Sequence, residues 1–354
     1  MNNVSGYRRA DLGPEFGYIP GEQPRDGDGW LKLNSNESPL PPSPRVAPAV
    51  AAAAADLRRY PDPRGEPLRS ALARYHGVEP DQVSVANGAD QVLDCCYRAF
   101  AAPGDAVLRM EPTYSLLPVL ARMFSAQDVA LPAGLGGSLP AEFGTRQGVL
   151  RFVVNPNSPT GRWIEPAVLG AHLASAPGVV AIDEAYCDFA PESCVPLLAA
   201  HRNWIVVRTL SKSHALAGLR VGYALGHADV IADLDSVKDS YAIDRCAIAG
   251  AIAALEDAEH HALIVDTVRR ERARMSDVLS DLDWAVEPSQ ANFVFARPPR
   301  GITASEVAQR LRADRILVRH FTAPRLDDWL RISVGDRSAT DRLLASIAAL
   351  PVSR

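Results

Sequence analysis

Apolar residues come in short unbroken runs, and most runs hand over to a segment with helical spacing. QVSVANG leads into ADQVLDCCYRAFAA, AVLRMEP into TYSLLPVLARMF, and VLRFVVNP through a Pro-Gly turn into EPAVLGAHLAS; GVVAIDEAY and NWIVVRTLSK come next. The runs are apolar at nearly every position rather than at alternate ones, the pattern of strands covered on both faces by helices. This alternation predicts an α/β sheet domain over residues 45–244. In such sheets ligands bind beyond the carboxyl ends of the strands. Polar residues stand at those ends: Asn87 and Gly88, the stretch from Asn155 to Thr160, Asp183 and Lys212. They are expected to converge on one edge.

From about residue 245 the texture changes. EDAEHHALIVDTVRRERARMSDVLSDL has the spacing of one long helix; AVEPSQANFVFARP, TASEVAQRLRADRILVRHF and WLRISVG then read as strand, helix, strand and strand. A smaller α+β domain over 245–354 is predicted. Residues 1–44 are rich in Pro and Gly and are expected to pack onto the rest as an arm. RVAPAVAAAAADLRRY reads as a helix entered at Pro44 or Pro48, because Ala is the strongest helix former and Pro suits a first turn.

Composition narrows the partners. The 354 residues are 47% hydrophobic, enough for a real core. A formal net charge of −5, with acids and bases interspersed, argues against nucleic acid or an anionic membrane as main partner. Cys95, Cys96, Cys187, Cys194 and Cys246 form an odd set with no C-x-x-C pair. Neither a disulfide framework nor a metal site is expected, and the cytoplasm is the expected compartment. The first residues lack the apolar core of a secretory signal, and no apolar run reaches membrane-spanning length.

The stretch TLSKSHALAGLR places Lys212 at the end of an apolar run. An ammonium there must be paired, neutralised or used as a nitrogen nucleophile. Pyridoxal phosphate would need a lysine for its aldehyde, a carboxylate for its ring nitrogen and a cradle for its phosphate. Asp183 suits the carboxylate, and Tyr186 would reach the ring's 3-oxygen. Gly88, Ala89 and Asp90 open a helix, where free N–H groups favour a phosphate; Ser211 and Arg220 would add to it. His214 and the Ala-rich residues after it read as packing. Singly, each candidate has an ordinary reading: a surface lysine, a helix cap at Asp183, a turn at NGAD, a half-buried Tyr114, a salt-bridging Arg220. Their order and joint placement favour the cofactor.

NPNSPTGR, AIDEAYCDF and RTLSKSHALAGLRVGYA resemble the fold-type-I pyridoxal-phosphate-dependent aminotransferases, and within them the histidinol-phosphate aminotransferase group. GYIPG, LKLNSNESPLPPSP, RRYPDPRGEPLRSALARYHGV, VKDSYAIDR, PSQANFVFA and WLRISVG keep that group's order, so the likeness covers nearly the whole chain. It implies a large α/β/α sheet domain, a smaller α+β domain and an N-terminal arm. It implies Lys212 as covalent anchor of the cofactor and proton carrier, Asp183 at the ring nitrogen, Tyr186 at the 3-oxygen and Tyr114 stacked on the ring. Ala89, Asp90, Ser211 and Arg220 would hold the phosphate, with help from Thr209. Tyr60 would reach the cofactor of a second copy in a homodimer. Arg331 and Arg319 would grip the substrate's anionic end, and Tyr18 would lie near it.

Two positions depart from the group. Asn usually precedes PTG; here Ser158 does, with Asn157 one residue earlier. Asn157 is expected to reach the ring by a local shift, the alternative being a weaker contact from Ser158. Asp336 stands after SVG, where Thr is more usual, either weakening the grip of Arg331 or capping the last helix, the latter favoured. The activity implied is ping-pong transfer of an amino group between glutamate/2-oxoglutarate and histidinol phosphate/imidazole acetol phosphate. The same cofactor residues would serve an aminotransferase for aromatic or specialised substrates, or a decarboxylase of a phosphorylated amino acid. A PLP-binding regulator without catalysis ranks below these, given an intact Lys212.

Overall fold

The computed structural model describes residues 7–9, 11–13, 16–25, 29–133 and 136–350. The strands are β1 (Leu31–Leu33), β2 (Val83–Asn87), β3 (Ala106–Glu111), β4 (Gln127–Pro132), β5 (Leu150–Val154), β6 (Val179–Asp183), β7 (Trp204–Thr209), β8 (Val221–Gly226), β9 (Ala285–Glu287), β10 (Phe293–Arg297), β11 (Ile316–His320) and β12 (Leu330–Ser333). The α-helices are α1 (Val46–Ala54), α2 (Glu66–His76), α3 (Ala89–Phe100), α4 (Leu116–Met123), α5 (Pro166–Leu173), α6 (Ala228–Val237), α7 (Arg245–Leu255), α8 (Ala258–Asp281), α9 (Ala304–Ala313) and α10 (Arg337–Ala348).

Among the described residues one sheet runs in the order β2-β8-β7-β6-β5-β3-β4. β4, β3, β5, β6 and β7 are parallel, and β8 runs antiparallel to both neighbours. Its central strands β5, β6 and β7 are buried almost end to end, as their largely apolar sequences require, and the buried Arg151 of β5 and Arg208 of β7 are held by hydrogen bonds. One face packs on a core reaching into α1, α2, α5 and α7, and the other on α3, α4 and α6. The Ala-rich stretch is helical as expected, with α1 starting at Val46 and Pro48 in its first turn.

The second sheet has the order β1-β11-β12-β10-β9 and packs against α8, α9 and α10. AVEPSQANFVFARP holds two strands, not one: β9 and β10 pair antiparallel across the turn at Ser289. β1, from the arm, pairs parallel with β11, with Leu31 opposite Ile316. The arm is therefore a strand of this sheet.

The reversed β8 puts its first residue, Val221, opposite Asn87 at the end of β2. Residues just before β8 thus share an edge with the carboxyl ends of the parallel strands. Two glycines permit this. A Cβ on Gly222 would overlap the backbone of Gly88 and Ala89, and one on Gly88, which has φ +82°, would overlap the Arg220 guanidinium. Replacing Gly222 with Ala should push the start of α3 off β8 and cost about 2 kcal/mol, as overpacking does. Chemical denaturation would register the loss.

Candidate active site

The ends of β5, β6 and β7 open into a cavity of about 260 Å³, whose other walls include Tyr18, Pro20, Gly21, Gln23 and residues 34–37 of the arm, and Arg319 and Arg331. Asp183 ends β6 and is buried; its Oδ1 accepts from the Ala185 N–H at 3.0 Å. No cation among the described residues forms an ion pair with it. Burial raises its pKa from 3.8 to about 7 against the Ala185 hydrogen bond, and Asp90 and Glu184 add to the rise. Lys212 lies just past β7, its Nζ 5.9 Å from the centre of the Tyr186 ring. Burial lowers its pKa from 10.5 to about 8, and the Arg331 charge adds to the fall. Such an amine is far more often unprotonated near neutral pH than an exposed lysine, which is what a nitrogen nucleophile needs.

The cavity has one anion-binding end at the start of α3. The N–H groups of Ala89 and Asp90 find no acceptor among the described residues. Arg220 lies against Gly88, with Nη2 3.4 Å from Asp90 Oδ2. The hydroxyls of Ser211 and Thr209 lie 2.9 Å apart on the same wall. Unpaired helix N–H groups, a guanidinium and hydroxyls together suit a phosphate. Tyr114 donates to Asp90 Oδ1 at 3.0 Å and meets Tyr18 edge-on, with ring centres 5.9 Å apart.

A second cationic end is built by Arg331 and Arg319. Arg331 donates to Ser158 Oγ at 3.1 Å and to Asn34 O at 3.2 Å, while its buried Nε has no acceptor among the described residues. Arg319 donates to the arm carbonyls of Ile19 and Pro20 at 3.0 and 3.3 Å. Neither guanidinium forms a carboxylate pair among the described residues, so both stay available to an incoming anion.

Twelve of the expected residues therefore line one cavity, and two do not. Asn157 does not reach it. A tight turn holds its backbone, with Asn157 N on Arg162 O and Gly161 N on Asn157 O, both at 2.7 Å. Its amide donates to Pro112 O at 3.2 Å and to Thr160 Oγ1 at 2.9 Å. Ser158 faces the cavity instead, correcting the expectation of a shifted Asn157. Tyr60 stands outside, 77% exposed and stacked on Tyr241 at 4.5 Å. Asp336 caps α10 by accepting from Ala339 N at 2.8 Å, as favoured from the sequence.

Sequence reasoning missed the arm pair Asn36 and Glu37, which line the cavity, and a buried network behind Lys212. There Arg208 pairs with both Glu184 and Asp188, and Ser213 donates to Asp188 and lies 3.0 Å from His214 Nδ1. His214 stacks on His261 with ring centres 4.3 Å apart, so it belongs to a polar network and is more than packing. Asp188, His214 and His261 bring ligand-type atoms within 4.8 Å of one another, but Arg208 and Ser213 already occupy the Asp188 oxygens. The only sequence signal for this network is the polar pair Ser213–His214 beside Lys212 in a buried loop.

Comparison with known proteins gives this site a context. The family described as Aminotransferase class I and II matches residues 28–347. The chain is 43% identical over 337 residues to histidinol-phosphate aminotransferase 1 of Bradyrhizobium diazoefficiens, covering 94% of this chain and 96% of that one. It is 43% identical over 356 residues to histidinol-phosphate aminotransferase 2 of Thiobacillus denitrificans, covering 98% and 99%. Among solved structures, histidinol-phosphate aminotransferase from Sinorhizobium meliloti in complex with pyridoxal 5'-phosphate superposes with a TM-score of 0.83 at 29% identity, covering 91% of each chain.

The two lone charges predict a pH signature. Asp183 titrates higher in the folded state than unfolded, so it lowers the stability of the ligand-free protein progressively as pH rises from about 4 to about 7. Asp183→Asn should therefore melt higher than the parent at pH 8, with the difference closing near pH 4. Thermal unfolding across that range, with small molecules stripped away, would show it.

Proposed function

We propose that this chain, which belongs to the class I and II aminotransferases, transfers an amino group between glutamate/2-oxoglutarate and histidinol phosphate/imidazole acetol phosphate, a step of histidine biosynthesis, using pyridoxal phosphate. The observation that carries the cofactor is the pairing, in one cavity, of a depressed lysine and an elevated carboxylate, neither with a counter-ion among the described residues. The donor set fits the group end to end: unpaired N–H groups with Arg220 and Ser211 for a phosphate, Asp183 for a ring nitrogen, Lys212 for an aldehyde. When bound, pyridoxal phosphate supplies an aldehyde that takes up the amino group and a protonated ring that draws electrons from the neighbouring carbon.

The chain's own residues do the rest. Asp183, once it faces a cation, ionises and keeps the proton on the ring nitrogen. Tyr186 and Ser158 offer hydroxyls on the side of the ring's 3-oxygen. Tyr114 gives a flat apolar face for the ring, with Tyr18 closing over it. Lys212, unprotonated for part of the time, would take the proton from the substrate α-carbon and give it to the cofactor carbon that bears the aldehyde. Arg331 and Arg319 receive the substrate's anionic end, a carboxylate in one half-reaction and a phosphate in the other.

The exposed Tyr60–Tyr241 pair supports a homodimer in which Tyr60 reaches the partner's site. Among the described residues no helix is long and apolar enough to cross a membrane. The free cysteines support a cytoplasmic location. The division into an arm (1–44), a cofactor unit (45–244) and a smaller unit (245–354) belongs to the same reading.

The cofactor-loaded protein should convert glutamate and imidazole acetol phosphate to 2-oxoglutarate and histidinol phosphate in a coupled assay. Release of carbon dioxide from phosphothreonine, without amine transfer, would overturn this in favour of a lyase. Lys212→Ala should lose at least about 1,000-fold in kcat, since base and anchor go together. Arg319→Ala and Arg331→Ala should each cost about 2 kcal/mol or more in kcat/KM for the phosphate ester, as lost charge-assisted hydrogen bonds do.

A further inference from the structure

Asn36 is a buried arm residue in the left-handed region, φ +55°, and all of its polar groups are used. Its N–H donates to Ser333 Oγ at 2.8 Å, and its carbonyl accepts from Asn292 Nδ2 at 2.9 Å. Its Oδ1 lies 3.2 Å from the same Ser333 hydroxyl, and its Nδ2 lies 3.0 Å from Tyr186 OH. These contacts fix the amide's orientation. Ser333 Oγ accepts from the Asn36 N–H and gives its one hydrogen to Oδ1, which turns the NH₂ to the tyrosine.

The consequence falls on Tyr186. Its oxygen accepts from Asn36 and is also hydrogen-bonded by the Ser158 hydroxyl, whose Oγ already accepts from Arg331. Its own hydrogen is therefore directed elsewhere, and its wall of the cavity offers that direction. Its ring is equally constrained: it packs edge-on against Phe293 of β10, centres 5.2 Å apart, within the core of the smaller sheet. Although Tyr186 comes after β6 of the larger sheet, its ring is placed by Phe293 of β10 and its hydroxyl by Asn36 of the arm, held in turn by Ser333 of β12. Ser158 reaches the hydroxyl from the loop after β5.

We propose that Asn36 is a positioning residue: its amide turns the Tyr186 hydroxyl into the cavity as a donor, and its anchorage on Ser333 and Asn292 makes that orientation depend on where the smaller sheet sits. The inference rests on the pyridoxal phosphate reading. A hydroxyl so aimed stabilises negative charge on the ring's 3-oxygen. The strength of that effect would then change whenever the arm and β12 move relative to β6.

The test is the pH titration of the bound cofactor's visible absorbance. Asn36→Gly removes the amide without straining a left-handed backbone. It should raise the titration midpoint by about half a pH unit, the size of one modest hydrogen bond. Tyr186→Phe should raise it further, and the double variant should match Tyr186→Phe alone, because Asn36 acts only through the phenol. Ser333→Ala, which frees the amide to rotate, should shift it in the same direction by less. An unmoved midpoint in Asn36→Gly, or shifts that add in the double variant, would overturn the proposal and leave the cofactor reading standing. A parent protein that develops no cofactor absorbance would instead refute the cofactor reading itself.

Discussion

Asp183 and Lys212 are drawn out of water beside each other's strand ends, and neither has an opposite charge within ion-pairing reach among the described residues. That arrangement costs folding free energy as it stands. It is not forced by a shortage of partners. A few residues away Arg208 satisfies both Glu184 and Asp188, and Glu184 also accepts from Ser193 and the Cys194 N–H at 2.6 Å. The fold pairs charges in the network around Arg208 and leaves Asp183 and Lys212 without ion pairs in the cavity. Deep cores on both faces of the larger sheet, with Trp204, Phe152 and Tyr97 fully enclosed, supply the stability that tolerates this.

Much of this was legible from residue order. Strands buried on both faces are largely apolar, so β5, β6 and β7 announce themselves despite Arg151 and Arg208, and polar residues just past their ends mark the edge of the cavity. That logic located Asp183, Lys212 and the start of α3 without reference to contacts. The direction of β8 was less accessible, because an apolar strand carries no mark of polarity. Yet its reversal is what brings Arg220 back to the site.

What stayed hidden depends on contacts between distant segments. Asn157 and Ser158 are adjacent, and only the turn closed by Arg162 and Gly161 decides which faces the cavity. β1 is three residues long, too short for any periodicity to reveal it. Asn36 looks like one polar residue in a polar stretch until Ser333 and Tyr186 are placed around it. The buried Arg208 network is spread over the segment after β6, β7, the loop after it and α8 for the same reason, and no local pattern joins them.

The pairing of β1 with β11 also bears on how the molecule is made. Asn36 and Ser333 are 297 residues apart, so on a ribosome the front wall of the cavity has nothing to dock on until β12 has emerged. The larger sheet can assemble during synthesis, but the arm waits. Closing so long a loop is entropically costly and late. The growing chain thus carries Lys212 in an open cleft until β12 is made and the arm docks on it.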